Sequence, residues 1–371
     1  MSTCGHQYAY AYTSKIQELF DAEMPKYKDI PENEFKEQTY LHSETPFGDK
    51  SMAYEIRLPN GWAEPEDRIL SSYNLSSRLL GQIALFYSPP RLESVRSKFQ
   101  IQALRLEYEI TAEQWMLQHV LENGLTLEGL ETYNEDKVGS LHVYLDEGET
   151  FVVRSIAQIN GKRMIFVQYI VPASQWNKEA PIIQKSLETF KLVNPDNSMI
   201  EDMDAHLILD LAKFMYPASW VLDTQPVKNI ERIRVAINNY NKRQKKFLDG
   251  QIRADLVSAH VADDLEEQLD IIKQDFRRRG LVVGELMYTI EDYEFTDDVQ
   301  FGFVDVYEAT DTSNNSIGYE VWVGVLALNG YYGFVSLMSP SRDSEFFTWA
   351  RNVSAFEIVA RSLSMQKRNL D

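Results

Sequence analysis

The same series of landmarks appears twice along this chain, and a duplicated series constrains the fold more tightly than any single motif does. The first copy opens with Met52, Tyr54, Ile56 and Leu58, apolar at every second position as in a strand with one buried face, and Pro59 and Trp62 follow. The second opens with Ala212, Phe214 and Tyr216, followed by Pro217 and Trp220. Each copy thus reads strand, Pro, two residues, Trp. Each then predicts an amphipathic helix. In the first it runs from Thr111 to Asn123, with a capping box between Thr111 and Gln114 and a stripe of Leu117, Val120 and Leu121. In the second it runs from Ala262 to Arg279, with Leu265, Leu269, Ile272 and Phe276 on one face. Both helices stop at Gly-Leu, Gly124-Leu125 and Gly280-Leu281, as a left-handed C-terminal turn requires.

Beyond the helix each copy has a long hairpin, turning on Asn160-Gly161 or Asn329-Gly330, a dipeptide suited to positive φ angles. The return strand ends at Pro172 or Pro340, and a last helix carries Trp176, Ala180, Ile183 and Leu187 or Val353, Phe356, Ala360 and Leu363. The expected fold class is α+β, with two tandem α/β/α units, each an antiparallel sheet with flanking helices. The domain order is an N-terminal arm (1–49) with a short helix at Ile16, Leu19 and Phe20, a first repeat (50–192), an acidic linker (193–207) and a second repeat (208–371).

An antiparallel sheet covered on one side alternates apolar and polar residues, because its other face meets water. The Asn329-Gly330 hairpin breaks this rule. Pairing outward from the turn sets Leu328 opposite Tyr331, Val325 opposite Phe334 and Trp322 opposite Leu337. One face then holds Trp322, Leu326, Val335 and Leu337, the other Val321, Val323, Val325, Tyr332, Phe334 and Met338, and no charge occurs from Val321 through Ser341. In the first hairpin, Arg154 and Arg163 interrupt the face that holds Ile165, Val167 and Tyr169. These nine residues, six in the second copy and three in the first, are the candidate partner-binding face, since an exposed apolar patch of a few hundred Å² on a soluble protein marks an interface. The competing expectation is that helices, or the other copy packed as a pseudo-dimer, cover them.

A net charge of −19, shared by both halves of the chain, repels phosphate backbones and anionic membranes, so no nucleic-acid partner is expected. The run Lys242, Arg243, Lys245 and Lys246 reads as a solvated hairpin tip. The single cysteine, Cys4, excludes an internal disulfide framework. No apolar run is long enough to span a membrane, and the N-terminus lacks a signal-peptide layout, which predicts a cytoplasmic protein. The alternative is a periplasmic or lipid-anchored protein in which Met1–Thr3 replaces a removed signal peptide ahead of Cys4.

Nucleotide-loop, nucleophile-elbow and zinc-protease motifs are absent, so the chain is expected to be non-enzymatic and to need no cofactor. His6, His42, His119, His142, His206 and His260 are scattered without metal-ligand spacing, although Cys4 and His6 could touch one metal. Glu107 with Glu109, and Asp292 with Glu294, read as half-exposed strands, and Arg277, Arg278 and Arg279 complement a helix dipole.

The strand ending in Pro-x-x-Trp (Pro59 and Trp62, Pro217 and Trp220), the antiparallel sheet, the mid-domain helix and the C-terminal helix after a long hairpin resemble the Mog1/PsbP-like fold. That grouping includes the bacterial DcrB-type branch and the Eag-type chaperones of type VI secretion. The resemblance is one of layout and covers most of residues 50–365. It implies binding and assembly work, because the family includes a Ran-binding factor, photosystem accessory proteins and dimeric chaperones that cradle apolar client segments. Together with the apolar hairpins, it implies a chaperone, adaptor or accessory subunit of a bacterial secretion or envelope-assembly system, with a protein client or complex subunit as partner. The alternatives are a stable structural subunit of a larger complex and an enzyme with a site between the repeats.

Overall fold

The computed structural model describes residues 15–65, 79–91, 95–224, 231–241, 247–262, 264–313 and 317–366. Cys4, His6 and the basic run 242–246 lie outside the described residues. The chain forms two compact units, one over Gln17–Ile200 and one continuing from Glu201. Among the described residues no helix is long and apolar enough to cross a membrane.

The elements up to the end of the first unit are α1 (Lys15–Phe20), α2 (Glu32–Gln38), β1 (Thr39–Glu44), β2 (Tyr54–Pro59), β3 (Leu79–Tyr87), β4 (Lys98–Arg105), α3 (Ala112–Glu122), β5 (Thr126–Asn134), β6 (Lys137–Asp146), β7 (Glu149–Asn160), β8 (Arg163–Pro172), α4 (Ala173–Glu188) and β9 (Lys191–Leu192). Its main sheet is antiparallel in the order β3-β4-β8-β7-β6-β5, beside a smaller sheet β1-β2-β9. The second unit repeats this plan with β10 (Met203–Ile208), β11 (Ala212–Pro217), β12 (Val221–Thr224), β13 (Arg232–Tyr240), β14 (Leu248–Ser258), α5 (Leu265–Arg278), β15 (Leu281–Ile290), β16 (Phe301–Asp311), β17 (Gly318–Leu328), β18 (Tyr331–Pro340), α6 (Phe346–Ser362) and β19 (Ser364–Met365). Its sheets run β12-β13-β14-β18-β17-β16-β15 and β10-β11-β19.

Each copy begins one strand before its first landmark. β1 lies in the segment read as an arm and pairs with β2, while β10 lies in the segment read as a linker and pairs with β11. Neither strand shows the period-two apolar signal, because only Thr39 of β1 and Ile208 of β10 are buried. The arm also packs on the first unit from Ala22 onward. Leu130 N donates to Ala22 O (2.7 Å), Trp176 Nε1 to the Tyr27 hydroxyl (3.2 Å), and Phe35 is buried.

Local chemistry places the ends of the mid-unit helices. Thr111 Oγ1 accepts from Gln114 N and Gln114 Oε1 from Thr111 N, both at 3.2 Å, closing the capping box on α3. Gly124 (φ 61°) and Gly280 (φ 89°) take the left-handed turn that ends α3 and α5. The second hairpin has the expected register. The first is displaced by one residue: Asn160 pairs with Arg163, so its loop is Gly161-Lys162. In both turns only the glycine has positive φ. Asn160 is held in the strand by its side chain, which donates to Ser51 O (2.8 Å) and accepts from Asp196 N (2.6 Å).

Helices cover both faces of the second hairpin. Trp322 packs against Phe356 and Trp349 of α6 (ring centroids 5.8 and 6.4 Å apart), and the opposite face packs against Ile272 and Phe276 of α5. Burial of this much aliphatic and aromatic surface at about 25 cal/mol per Å² supplies the main stabilisation of such a layered unit.

Candidate functional site

The apolar face expected to bind a partner is core. Val321, Val323, Val325 and Phe334 are at most 1% exposed, with Tyr332 and Met338 half-buried against the same cluster under α5. Ile165, Val167 and Tyr169 are equally buried under Trp176, Ala180 and Ile183 of α4. The stretch from Val321 to Ser341 lacks charge because α5 and α6 cover the two faces of this hairpin. Arg154, which suggested a wet face in the first copy, is itself 1% exposed. Its Nε donates to Gln184 Oε1 of α4 (2.7 Å) and its Nη1 to Ser155 O (2.8 Å). Its guanidinium lies over residue 139, where a Cβ would stand 2.7 Å from Nη1, so any larger residue than Gly139 would have to push the guanidinium aside. Glu107 with Glu109, and Asp292 with Glu294, follow the ends of β4 and β15 and lie in connectors, not on strands.

The open surface is on the other face of the first unit's sheet. There α3 lies over β5, β6 and β7, and a groove of about 760 Å³ remains beside it. Gln82, Gln100, Gln102 and Gln168 line its floor, with Gln118 and His119 of α3 on its wall. Lys98, its amine lowered in pKa by burial, and Glu122 also line it. Another depression, of about 560 Å³ in the second unit, is bordered by Asp210, Asp298, Asn329, Tyr331 and Gln366.

The hairpin registers show what stands at the groove's position in the second unit. Three residues into the return strand lie Phe166 and Phe334, and two further lie Gln168 and Ser336. Gln102 pairs with Phe166 as Asp255 does with Phe334, and Gln100 with Gln168 as Arg253 does with Ser336. One strand outward, Gln82 corresponds to Arg234. Counted back from the helix-ending glycines, His119 corresponds to Asp275.

In the second unit this set is an ion network. Arg234 donates to both oxygens of Asp255 (2.8 and 2.7 Å) and to Asp275 (2.9 Å), and Arg253 also donates to Asp275. The bond to Asp255 raises the Arg234 pKa against the cost of burial. In the first unit the equivalent set is neutral. Gln100 Nε2 donates to Gln168 Oε1 at 2.6 Å. Burial lowers His119 to a pKa of about 4, and burial together with His119 lowers His142 to about 3. The two rings are 6.2 Å apart, His119 stacks on Trp115 (5.4 Å), and His142 Nδ1 bonds Ser140 Oγ (3.2 Å). Both imidazoles are uncharged at neutral pH. Among the described residues no three His, Cys, Asp or Glu side chains converge as metal ligands.

None of these groove residues was singled out from sequence as a site. The available signal was the alternation in β4, where Gln100 and Gln102 separate the buried Phe99, Ile101 and Ala103. His119 and His142 come together only through the packing of α3 on β6.

No protein-family model matches this chain, and no curated protein does. Among solved structures it is similar to the Ran-binding protein Mog1p of Saccharomyces cerevisiae, with 11% identity and a TM-score of 0.31 over 42% of this chain and 97% of that one. It is similar to PsbP (CyanoP) of Synechocystis sp. PCC 6803, with 13% identity and a TM-score of 0.31 over 46% and 95%. It is also similar to the T6SS immunity protein TplEi of Pseudomonas aeruginosa, with 10% identity and a TM-score of 0.22 over 84% and 94%. In fold, the chain is a mixed α+β protein, with helices packed on antiparallel sheets, as the layout of the repeats implied.

Proposed function

We propose that this chain is a non-enzymatic protein-binding component, a chaperone, adaptor or accessory subunit, whose first unit offers the groove beside α3 to a segment of its partner. A bacterial secretion or envelope-assembly setting, which the resemblance of the repeats implies, and a cytoplasmic location belong to the same proposal. The observation that carries the binding role is the difference between equivalent positions. Where the second unit fills its sheet face with Arg234, Arg253, Asp255 and Asp275, the first has uncharged donors and acceptors at the equivalent positions and leaves a groove of about 760 Å³, with Lys98 and Glu122 also on its lining. Specific recognition takes such converging polar groups on an otherwise apolar surface. The histidines support binding over catalysis, because groups held near pKa 4 and 3 are poorly matched to proton transfer at neutral pH.

The test begins with capture of the partner by the full chain from its native host and identification by mass spectrometry. Calorimetric titration of that partner then compares the wild type with Gln102→Trp, which fills the groove. A loss of affinity of at least about tenfold is expected, and undiminished affinity would overturn the proposal. If the partner is an enzyme that loses activity in the complex, the chain is an inhibitor within the same binding class.

A further inference from the structure

Gln118 of α3 is 2% exposed at the wall of the groove. Its Oε1 accepts from the Tyr108 hydroxyl at 3.1 Å, but its buried Nε2 has no hydrogen-bond partner among the described residues. Buried amide nitrogens normally have an acceptor, so this donor points to a ligand that supplies one. The floor presents a complementary pair. Gln100 and Gln168 are joined by a single bond, Nε2 to Oε1, which leaves the Gln100 carbonyl and the Gln168 amine with no partner among the described residues. One acceptor beside one donor is the arrangement that matches a peptide group or a carboxamide.

Charge complementarity selects against ionised ligands. A carboxylate entering the groove would leave water among neutral side chains, since His119 and His142 are both held in the uncharged form. The groove's two charged residues are of opposite sign, Lys98 and Glu122, and Lys98 also feels Asp146. Neither charge sign is favoured overall.

We infer that the groove takes an extended, uncharged polar segment of a partner protein and reads its amide groups with Gln100, Gln118 and Gln168. This inference rests on the binding role proposed above and adds the chemistry of the bound segment.

Fluorescence anisotropy on the full chain tests it with three labelled, capped dodecapeptides: one of Asn, Gln, Ser and Gly, one with Asp at alternate positions, and one with Lys there. The uncharged peptide is expected to bind about tenfold or more tightly than either charged one. Gln168→Leu, which puts an apolar side chain of similar size between Phe166 and Ile170, is expected to weaken it about tenfold by leaving partner groups unpaired. Should Gln168→Leu fail to fold, Gln100→Leu replaces it with the same expected loss. Equal or stronger binding of a charged peptide, no binding of any peptide, or indifference to the leucine variant overturns the inference. Native-partner binding that is lost in Gln102→Trp but kept in Gln168→Leu leaves the binding role standing without the amide chemistry, whereas indifference to both variants removes both.

Discussion

In the second unit, α5 rests on a sheet face stitched together by arginines and aspartates; in the first, α3 stands beside glutamines. Apart from the extra edge strand β12, the strands of the two main sheets correspond, so the difference at this face lies in side-chain length and charge. A guanidinium on its three-carbon stem can lie across neighbouring strands and cover them, while a glutamine is too short to do so. The exchange is also inexpensive. A buried ion network is often worth little more than a neutral packing of the same volume, because desolvation offsets the Coulomb gain. A duplicated unit can therefore lose such a network, keep its fold, and open a groove in its place.

Four experiments would break or sharpen this contrast. The largest effect is expected for Phe334→Asp, which places a carboxylate in the core beneath α5 and destabilises the second unit by more than about 4 kcal/mol. Hydrogen exchange should show loss of protection across β17 and β18, and retained protection would mean that this face is open after all.

Next is Glu320→Ala. The Glu320 carboxylate accepts from Arg342 Nε (2.9 Å), Trp322 Nε1 (3.1 Å) and Trp349 Nε1 (2.8 Å), and the ion pair is almost fully buried. Burial opposes the charge of Arg342, yet Glu320 holds its pKa raised. Removing the carboxylate should cost about 3 kcal/mol in a urea titration followed by second-unit probes. A cost near zero would show that the closed unit does not depend on its buried charges.

Acid should weaken the first unit through its groove histidines. His142 has a folded pKa of about 3 against 6.5 for the free side chain, so the unfolded chain takes up a proton as pH falls through 6.5 while the folded unit does not. The contribution is thus complete above 6.5 and lost on descending toward 3, at up to about 1.4 kcal/mol per pH unit for each such histidine. His119 adds to it down to about 4. In the second unit, burial opposes ionisation of Asp275 but Arg234 and Arg253 hold its pKa below the usual 3.8, so its contribution persists above that value and is lost on further acidification. His206, lowered by burial, contributes there in the same direction as His142. Denaturation of the first unit at pH 7 and pH 5, with and without His142→Gln, should show a flatter profile for the variant.

The smallest effect on stability is expected from grafting the second unit's residues into the first. Gln82→Arg, Gln100→Arg, Gln102→Asp and His119→Asp together should change stability by no more than about 1 kcal/mol, since the desolvation of the new charges offsets the Coulomb gain of their pairs. Uncharged-peptide binding should disappear at the same time. If binding survives, the contrast between the units is not what opens the site.

Much of the scaffold was legible in the residues themselves. Period-two strands such as Tyr54-Ile56-Leu58, the Thr111 capping box, the glycines at 124 and 280 and the register of the second hairpin all act over a few residues, and each formed as local chemistry requires. Strands β1 and β10 escaped because a thin edge sheet buries too little of them to impose alternation. The N-terminal residues from Ala22 onward carry no local sign of what they pack on, because their anchors, Leu130, Trp176 and Lys185, are far away in sequence.

The sequence by itself determined the duplication, the layered class and the amount of apolar surface to be buried. Only the tertiary structure decided which surface stays open. An apolar run reports that its faces are dry without saying whether a helix of the same unit or another molecule dries them, and here α5 and α4 do so. The groove is the reverse case, since glutamines on a strand look like ordinary solvent-facing residues until α3, Trp115 and the two histidines are packed around them.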